Sequence, residues 1–371
     1  MRPLRIGVNA LYLIPGAVGG TEIYLRGLLP ALAEIDPVNQ YFVFTNRETG
    51  SGLTPARPNF TAVPQPIRAA SRPVRILWEQ MALPLAAARL QLDVLFNPGF
   101  TAPLLAECPQ VTVFHDLQHI RHPEHFRWFD LPFWKALLFT AAHVSRTVLA
   151  VSPATAADVL RYYRLPPRRV RVALLGVDPV FFELAPRRRE PFLLAVSTLH
   201  PHKNLDGLLR AFAEFRREHP EFRLTVCGLH GFFTGPLHEL RERLGLAAAV
   251  DFPGWIPREE LHSLYAHAWA FIYPSFFEGF GLPVLEALAA GVPTACSDIE
   301  PMAGIAGDAA LRFNPRDPAA LLAALRRISF DEALRQRLAE AGPKRASQFS
   351  WRATAEATLQ ALDCAAQQGQ P

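Results

Sequence analysis

Short apolar runs alternate with longer amphipathic stretches from end to end of the chain, and this order constrains the fold more than any single motif. Two parallel strands need a crossover of a dozen or more residues between them, usually a helix, so runs spaced in this way predict parallel sheets covered by helices. In the first half, strands are expected at Leu4–Asn9, Tyr41–Thr45, Leu92–Pro98, Gln110–Asp116 and Thr147–Ser152, with the glycine turn PGAVGGTEIY and a helix to about Ala33 after the first. FLLAVSTLH (Phe192–His200), FRLTVCG, AVDFPGWI, AWAFIYPS and VPTACSD repeat the pattern in the second half. PRRREP, from Pro186, reads as the linker between them. The expectation is two doubly wound α/β domains, 1–185 and 186–348, followed by 349–371 as a closing helix with a frayed tail, QQGQP. Ligands of such sheets sit at the carboxyl ends of the strands, so chemistry is sought there.

The chain's 371 residues suffice for two such cores, and a composition half hydrophobic and 19% charged excludes disorder for most of it. A net charge of +4 suits a phosphate-bearing ligand or an anionic membrane surface without demanding nucleic acid. Only three of the 38 basic residues are lysines, Lys135, Lys203 and Lys344, so a lysine in a ligand-like setting stands out. The four cysteines have no paired spacing, so neither a disulfide framework nor a zinc ribbon is indicated and a reducing cytoplasm fits. The opening MRPLRIGVNALYLIPG is broken by Asn9 and Pro15 and reads as a first strand, not a signal peptide. Lys135, His143 and Arg146 interrupt the longest apolar stretch, so no membrane span is expected.

FEGFGLPVLEA (Phe277–Ala287) sets Glu278 and Glu286 eight residues apart. The preceding FIYPS reads as a strand and Pro283 suits the first turn of a helix, which leaves Glu278 in the loop and Glu286 about one turn into the helix. Glycines let backbone approach a ligand, and the helix N-terminus offers unpaired N–H groups to a phosphate. Carboxylates repel phosphate, so the two glutamates suit sugar and ribose hydroxyls flanking it. A surface turn with a capping-region glutamate is the plain alternative.

EGFGLPVLEALAAGVP resembles the E-x7-E segment of the retaining GT-B glycosyltransferases of the family 4 type (glycosyl transferases group 1), which include bacterial mannosyl- and glucosyltransferases of surface polysaccharide synthesis. The resemblance extends over nearly the whole chain and implies two Rossmann-like domains facing across a cleft. It implies that Glu278 lies by the donor sugar, that Glu286 binds the nucleoside ribose, and that the amides of Gly279, Phe280 and Gly281 face the diphosphate. VSTLHPHKNLDGLLRAF is similar to the segment that opens the family's second domain, whose lysine pairs with the diphosphate, here Lys203. Many members carry an arginine where this chain has Thr198, so part of the positive clamp is absent or supplied by another residue. DFPGWIPREEL implies that backbone near Trp255 and Ile256 meets the base.

TVFHDLQHIRHPEHF packs His115, His119, His122 and His125 into eleven residues. Helical spacing of His115 and His119 raises a metal site, but Pro123 interrupts a helix and no metal is expected. The stretch resembles the family's HDL…HPE loop, which implies that His115 touches the donor sugar and that Asp116 braces the loop, while simple surface exposure is expected for the other three. GAVGGTEIY lacks the G-x-G-x-x-G order of a dinucleotide site. The family's Gly-Gly loop implies that Gly19 and Gly20 lie beside the donor phosphates. No D-x-D, H-E-x-x-H or G-x-S-x-G occurs, so no cofactor is expected and protein groups must meet the donor's charge.

The resemblance therefore implies a retaining, metal-independent hexosyltransferase. Lys203 and the loop amides would stabilise the leaving nucleoside diphosphate, and displacement would occur on one face of the sugar. GDP-mannose is the favoured donor, with UDP-glucose close behind, and the acceptor is a glycan or lipid-linked. Arg68–Arg89 and Phe126–Arg146 are apolar and basic enough to dock an anionic membrane face, although they also read as core helices with solvated arginines. Two rivals stand beside this reading: a glycoside hydrolase using Glu278 and Glu286 as its carboxylate pair, and a catalytically silent nucleotide-sugar-binding subunit.

Overall fold

The computed structural model describes residues 2–17, 19–184 and 189–367. Residues 186–188 of the linker PRRREP and the tail beyond Gln367 lie outside the described residues. The chain forms two compact units, Met1–Gly176 with Trp351–Pro371, and Val177–Ser350. The division falls at Gly176/Val177, where the sequence suggested 185/186. Val177 N donates to Phe349 O at 3.3 Å and Arg258 pairs with Asp178 at 2.8 Å, which ties the segment before the linker to the second unit.

The first unit is built on seven parallel strands: β1 (Arg5–Asn9), β2 (Gln40–Thr45), β3 (Phe60–Pro64), β4 (Val94–Asn97), β5 (Gln110–Phe114), β6 (Thr147–Ala150) and β7 (Val170–Val172). Their order is β3-β2-β1-β4-β5-β6-β7. The central strands β4, β5 and β6 are buried along their whole length, as expected where helices cover both faces of a parallel sheet. Progression reverses between β1 and β4, which pair with Ile6 opposite Val94, and the carboxyl edge at such a reversal is where a doubly wound sheet takes its ligands.

The second unit repeats this plan with β8 (Glu190–Val196), β9 (Arg223–Cys227), β10 (Val250–Gly254), β11 (Ala268–Tyr273), β12 (Thr294–Ser297) and β13 (Leu311–Phe313). The order is β10-β9-β8-β11-β12-β13, which places its reversal between β8 and β11. Its core is led by Leu193, Phe212, Phe215, Leu224 and Ile272, all buried.

The sequence pattern omitted β3, β7 and β13. All three are edge strands of three to five residues with few buried positions, so no apolar run announces them. In the first unit, helix α1 (Gly20–Ile35) packs against the last helix, Trp351–Gln367. A Cβ at Gly27 would lie 2.2 Å from Cε2 of Trp351, so glycine makes room for the indole. Thr354 Oγ1 donates to Leu174 O at 2.7 Å and anchors the same helix further.

Candidate active site

In the second unit the two strands that flank the reversal carry the candidate groups. Beyond β8, Ser197 N donates to Cys227 O at 2.8 Å and Leu199 N to Leu229 O at 3.0 Å, so pairing with the neighbouring segment continues past the strand. The approach is close enough to require glycine: Gly228 has φ +147°, and a Cβ there would lie 2.1 Å from Ser197 O. A single 3-10 turn, Pro201–Lys203, follows and ends at Asn204 in the left-handed conformation, φ 52°. The Asn204 amide donates to Pro274 O at 3.2 Å and Pro315 O at 3.1 Å, and Phe276 N donates to His202 O at 2.8 Å. These bonds fasten the lysine turn to the loops after β11 and β13.

Lys203 Nζ donates to Glu278 Oε1 at 2.6 Å and to the Tyr273 hydroxyl at 3.3 Å. Both side chains of the ion pair are nearly enclosed, 13% and 10% exposed. Burial, reinforced by the Glu278 charge, raises the Tyr273 phenol well above its ordinary pKa and keeps it a neutral hydrogen-bonding group. An ammonium in such a setting interacts more strongly with a charge than it would in water, and Glu278 is its counter-charge here.

Past Glu278 the loop is anchored by Phe277 and Phe280, both buried, with Phe280 edge-on to Phe349 at 6.2 Å. Gly279 is enclosed as well. Gly281 precedes the helix Leu282–Ala289 with φ 105°, a region that disfavours any side chain, and Pro283 occupies the first turn. Glu286 lies inside that helix, 6% exposed. Its Oε2 accepts from the Tyr265 hydroxyl at 3.1 Å. Burial pushes its carboxyl up to about 7, against the opposing pull of the Tyr265 hydrogen bond and the Arg258 charge.

Around this pair, Thr198 is partly buried, and its methyl lies 3.6 Å from where a Gly231 Cβ would stand. Trp255 is 58% exposed and Ile256 partly buried, on the loop after β10, which Gly228 N reaches through Gly254 O at 3.0 Å. Sequence reasoning missed Asn204, Tyr265, Tyr273 and Arg316. The Arg316 guanidinium stacks on the Phe276 ring at 5.6 Å and puts a second cation on the loop after β11. An asparagine directly after the lysine, at the start of a helical pattern, was the one usable signal for Asn204.

In the first unit His115 follows β5. Its Nε2 lies 2.8 Å from Pro98 O, and because a carbonyl only accepts, Nε2 carries the proton. Tyr24 meets the ring edge-on at 5.0 Å and Phe100 lies against it at 5.1 Å. Loss of hydration lowers the imidazole pKa to about 4, so the ring is neutral at pH 7 and its Nδ1 presents a lone pair. Asp116 Oδ1 accepts from Gln118 N at 2.9 Å. Gly19 precedes α1 with φ 60°, and space around the Gly20 Cα is open. Glu22 closes the loop by accepting from Gly16 N at 2.8 Å and pairing with Arg26 at 2.7 Å.

The expectation of simple exposure for the remaining histidines is corrected. His119 is 3% exposed, its Nε2 2.8 Å from the Tyr163 hydroxyl, and burial lowers its pKa to about 4. His122 and His125 are partly buried and stack at 5.4 Å, with Glu124 Oε1 3.0 Å from His122 Nδ1 and 3.9 Å from His125 Nε2. Ligand atoms of these three residues lie within 4.8 Å of one another, close enough to hold a cation.

Residues 178–345 match the family model described as Glycosyl transferases group 1, and residues 18–181 match Glycosyltransferase Family 4. The O-antigen chain mannosyltransferase B of Escherichia coli is 31% identical over 74% of this chain and 75% of its own length. The MMP alpha-(1->4)-mannosyltransferase of Mycolicibacterium hassiacum is 29% identical over 92% of this chain and 93% of its own. Among solved structures, Anabaena HepE in complex with UDP and glucose superposes with a TM-score of 0.75 at 18% identity, over 97% of this chain and 100% of that one. The chain belongs to the group 1 glycosyltransferases of the family 4 type, and its two parallel-sheet units are those of the GT-B fold.

Proposed function

We propose that this glycosyltransferase moves mannose from GDP-mannose to a glycan or lipid-linked acceptor in the synthesis of a cell-surface polysaccharide such as O-antigen, with retention of configuration and without a metal. The observation that carries the reading is the Lys203–Glu278 pair at the strand reversal of the second sheet, 2.6 Å apart and nearly enclosed. That is where a doubly wound sheet takes its ligand. An incoming diphosphate draws the Lys203 ammonium, and the amides of Gly279, Phe280 and Gly281 at the helix start add N–H donors. Together they stabilise the charge that gathers on the leaving nucleoside diphosphate, a task that otherwise falls to a metal. Release from Lys203 leaves Glu278 to accept from a sugar hydroxyl. The ribose falls to Glu286, the base to Trp255 and Ile256, and the neutral His115 accepts from a sugar hydroxyl through Nδ1. Gly19, Gly20 and Thr198 border the phosphates. No residue is assigned as a covalent nucleophile, and displacement on one face assisted by the leaving phosphate accounts for retention.

Mannose is favoured because the two curated relatives described above are mannosyltransferases by name. HepE, crystallised with UDP and glucose, keeps UDP-glucose as the competing donor. The hydrolase alternative draws no support from the geometry, because Glu278 is spent on Lys203 and Glu286 is buried against Tyr265.

No helix among the described residues is long and apolar enough to cross a membrane. Helix α2 (Arg72–Arg89) exposes Val74, Leu77, Met81 and Leu85 along one face, and Trp128, Phe129 and Phe133 are exposed beside Arg127 and Lys135. We infer that this surface rests on the anionic cytoplasmic face of the inner membrane, where a lipid-linked acceptor would be met.

The test is calorimetric titration with GDP, UDP, GDP-mannose and UDP-glucose of the unaltered chain and of Lys203→Ala and Glu286→Ala, with the anomeric configuration of the product read by NMR. Selective GDP binding lost in both variants, with a product of unchanged configuration, is the expected result. Absence of binding by either nucleotide overturns the reading.

A further inference from the structure

The first sheet has its own reversal, between β1 and β4, and a pair of charged side chains is buried beside it. Arg75 and Glu79 stand one turn apart on α2, 9% and 1% exposed. Glu79 Oε2 accepts from Thr101 Oγ1 at 3.0 Å, on the loop that follows β4. The other oxygen, Oε1, is enclosed without a partner. Arg75 is less satisfied still. Its Nε is enclosed without a partner, and among the described residues no hydrogen bond or ion pair engages the guanidinium. Burying an arginine in this way costs free energy that packing alone does not return.

The Glu79–Thr101 bond sets this turn of α2 beside the reversal. A Cβ at Gly99 would lie 2.3 Å from the Tyr12 ring, so the loop after β4 rests directly on the loop after β1. The same loop holds Pro98, whose carbonyl accepts from His115 Nε2, and Phe100, which packs on the His115 ring. One four-residue segment, 98–101, is therefore gripped by His115 at one end and by Glu79 at the other. Glu22, the carboxylate on the loop side of Tyr12, is occupied with Arg26 and Gly16. Glu79 acts on Arg75 through its charge, but its hydrogen bond goes to Thr101 and not to the guanidinium.

Building on the transferase reading above, we propose that Arg75 is the acceptor-recognition residue of the first unit and takes an anionic group of the acceptor, a phosphate or a carboxylate. A guanidinium pairs with either through two parallel hydrogen bonds, which fixes orientation as well as charge. Phosphate would come from a lipid carrier and carboxylate from an acidic sugar.

The experiment uses the full chain carrying Lys203→Ala, which removes the donor-side ammonium. It is titrated with inorganic pyrophosphate, glucuronate and methyl α-mannoside, alone and with Arg75→Gln or Arg75→Lys added. One of the two anions is expected to bind, to weaken about ten-fold or more in Arg75→Gln, and to recover in part in Arg75→Lys. The anion that does so identifies the source. Equal anion binding in all three chains, no binding of either anion, a matching loss of methyl α-mannoside, or failure of both variants to fold overturns the assignment. GDP is titrated separately into a chain carrying Arg75→Gln alone. Unchanged GDP affinity is expected, and absence of GDP binding even with Arg75 intact removes the transferase reading while leaving the anion result standing.

Discussion

Glu278 accepts a 2.6 Å hydrogen bond from Lys203, so in the free enzyme the one lysine of the second sheet's crevice is already neutralised. The two residues then respond oppositely to substitution. Glu278→Gln frees the ammonium, and GDP is expected to bind as tightly or up to about ten-fold more tightly while transfer falls by about a hundred-fold. Lys203→Ala leaves a buried carboxylate facing the diphosphate, and GDP affinity is expected to fall by about 2–4 kcal/mol. Calorimetry beside a transfer assay checks both. Parallel losses of GDP affinity in the two variants would show that the pair acts as a structural clamp.

Glu286 sets a dependence of stability on pH. Its carboxyl is raised from 4.5 to about 7 in the folded chain, so the native state favours the protonated form. The associated stability is complete below pH 4.5 and is lost as pH rises through 7. Glu286→Gln lacks this titration. Its stability relative to the unaltered chain is expected to improve by about 3 kcal/mol between pH 4.5 and pH 8, measured by urea unfolding of the second unit's transition. A gap that stays constant with pH would show that the carboxyl titrates normally.

His119 has the opposite sign. Its pKa is lowered to about 4 from 6.5 by burial, so the native state favours the neutral ring and the contribution is complete above pH 6.5. It is lost as pH falls through 4. His119→Phe forfeits the hydrogen bond with Tyr163 but has no ring to protonate. It is expected to be less stable at pH 7 and to lose about 3 kcal/mol less than the unaltered chain between pH 6.5 and pH 4. Acid unfolding followed by circular dichroism decides, and parallel curves for the two proteins would contradict the shift.

The exposed aromatic residues give a prediction independent of catalysis. Trp128→Ser combined with Phe129→Ser is expected to reduce co-sedimentation with vesicles rich in phosphatidylglycerol at least five-fold and to leave GDP binding unchanged. Binding of the unaltered chain that is equal for neutral and anionic vesicles would remove the role given to Arg127 and Lys135.

What could be foreseen from the sequence divides along physical lines. Lys203, Glu278 and the helix at Leu282 were legible because each follows a buried strand and is marked by glycine or proline, local signals of backbone geometry. The edge strands β3, β7 and β13 left no such mark, since an edge need not be apolar. His119 could not be placed because the residue that buries it, Tyr163, is 44 positions away, and sequence distance says nothing of that contact. Arg75 and Glu79 carry no local mark within the stretch Arg68–Arg89. Their significance depends on Thr101, 22 residues on, taking one carboxylate oxygen while the guanidinium goes without.

Trp351 seats its indole over Gly27, near the opposite end of the chain. The first unit therefore waits for a helix made after the whole of the second before its own hydrophobic surface is closed, whereas the second has all of its sequence in one piece. A nonsense codon shortly after Ser350 would spare every residue of the second sheet and yet strip the first of a supporting helix. The damage from losing Trp351–Gln367 would appear in the unit built from the residues before Val177.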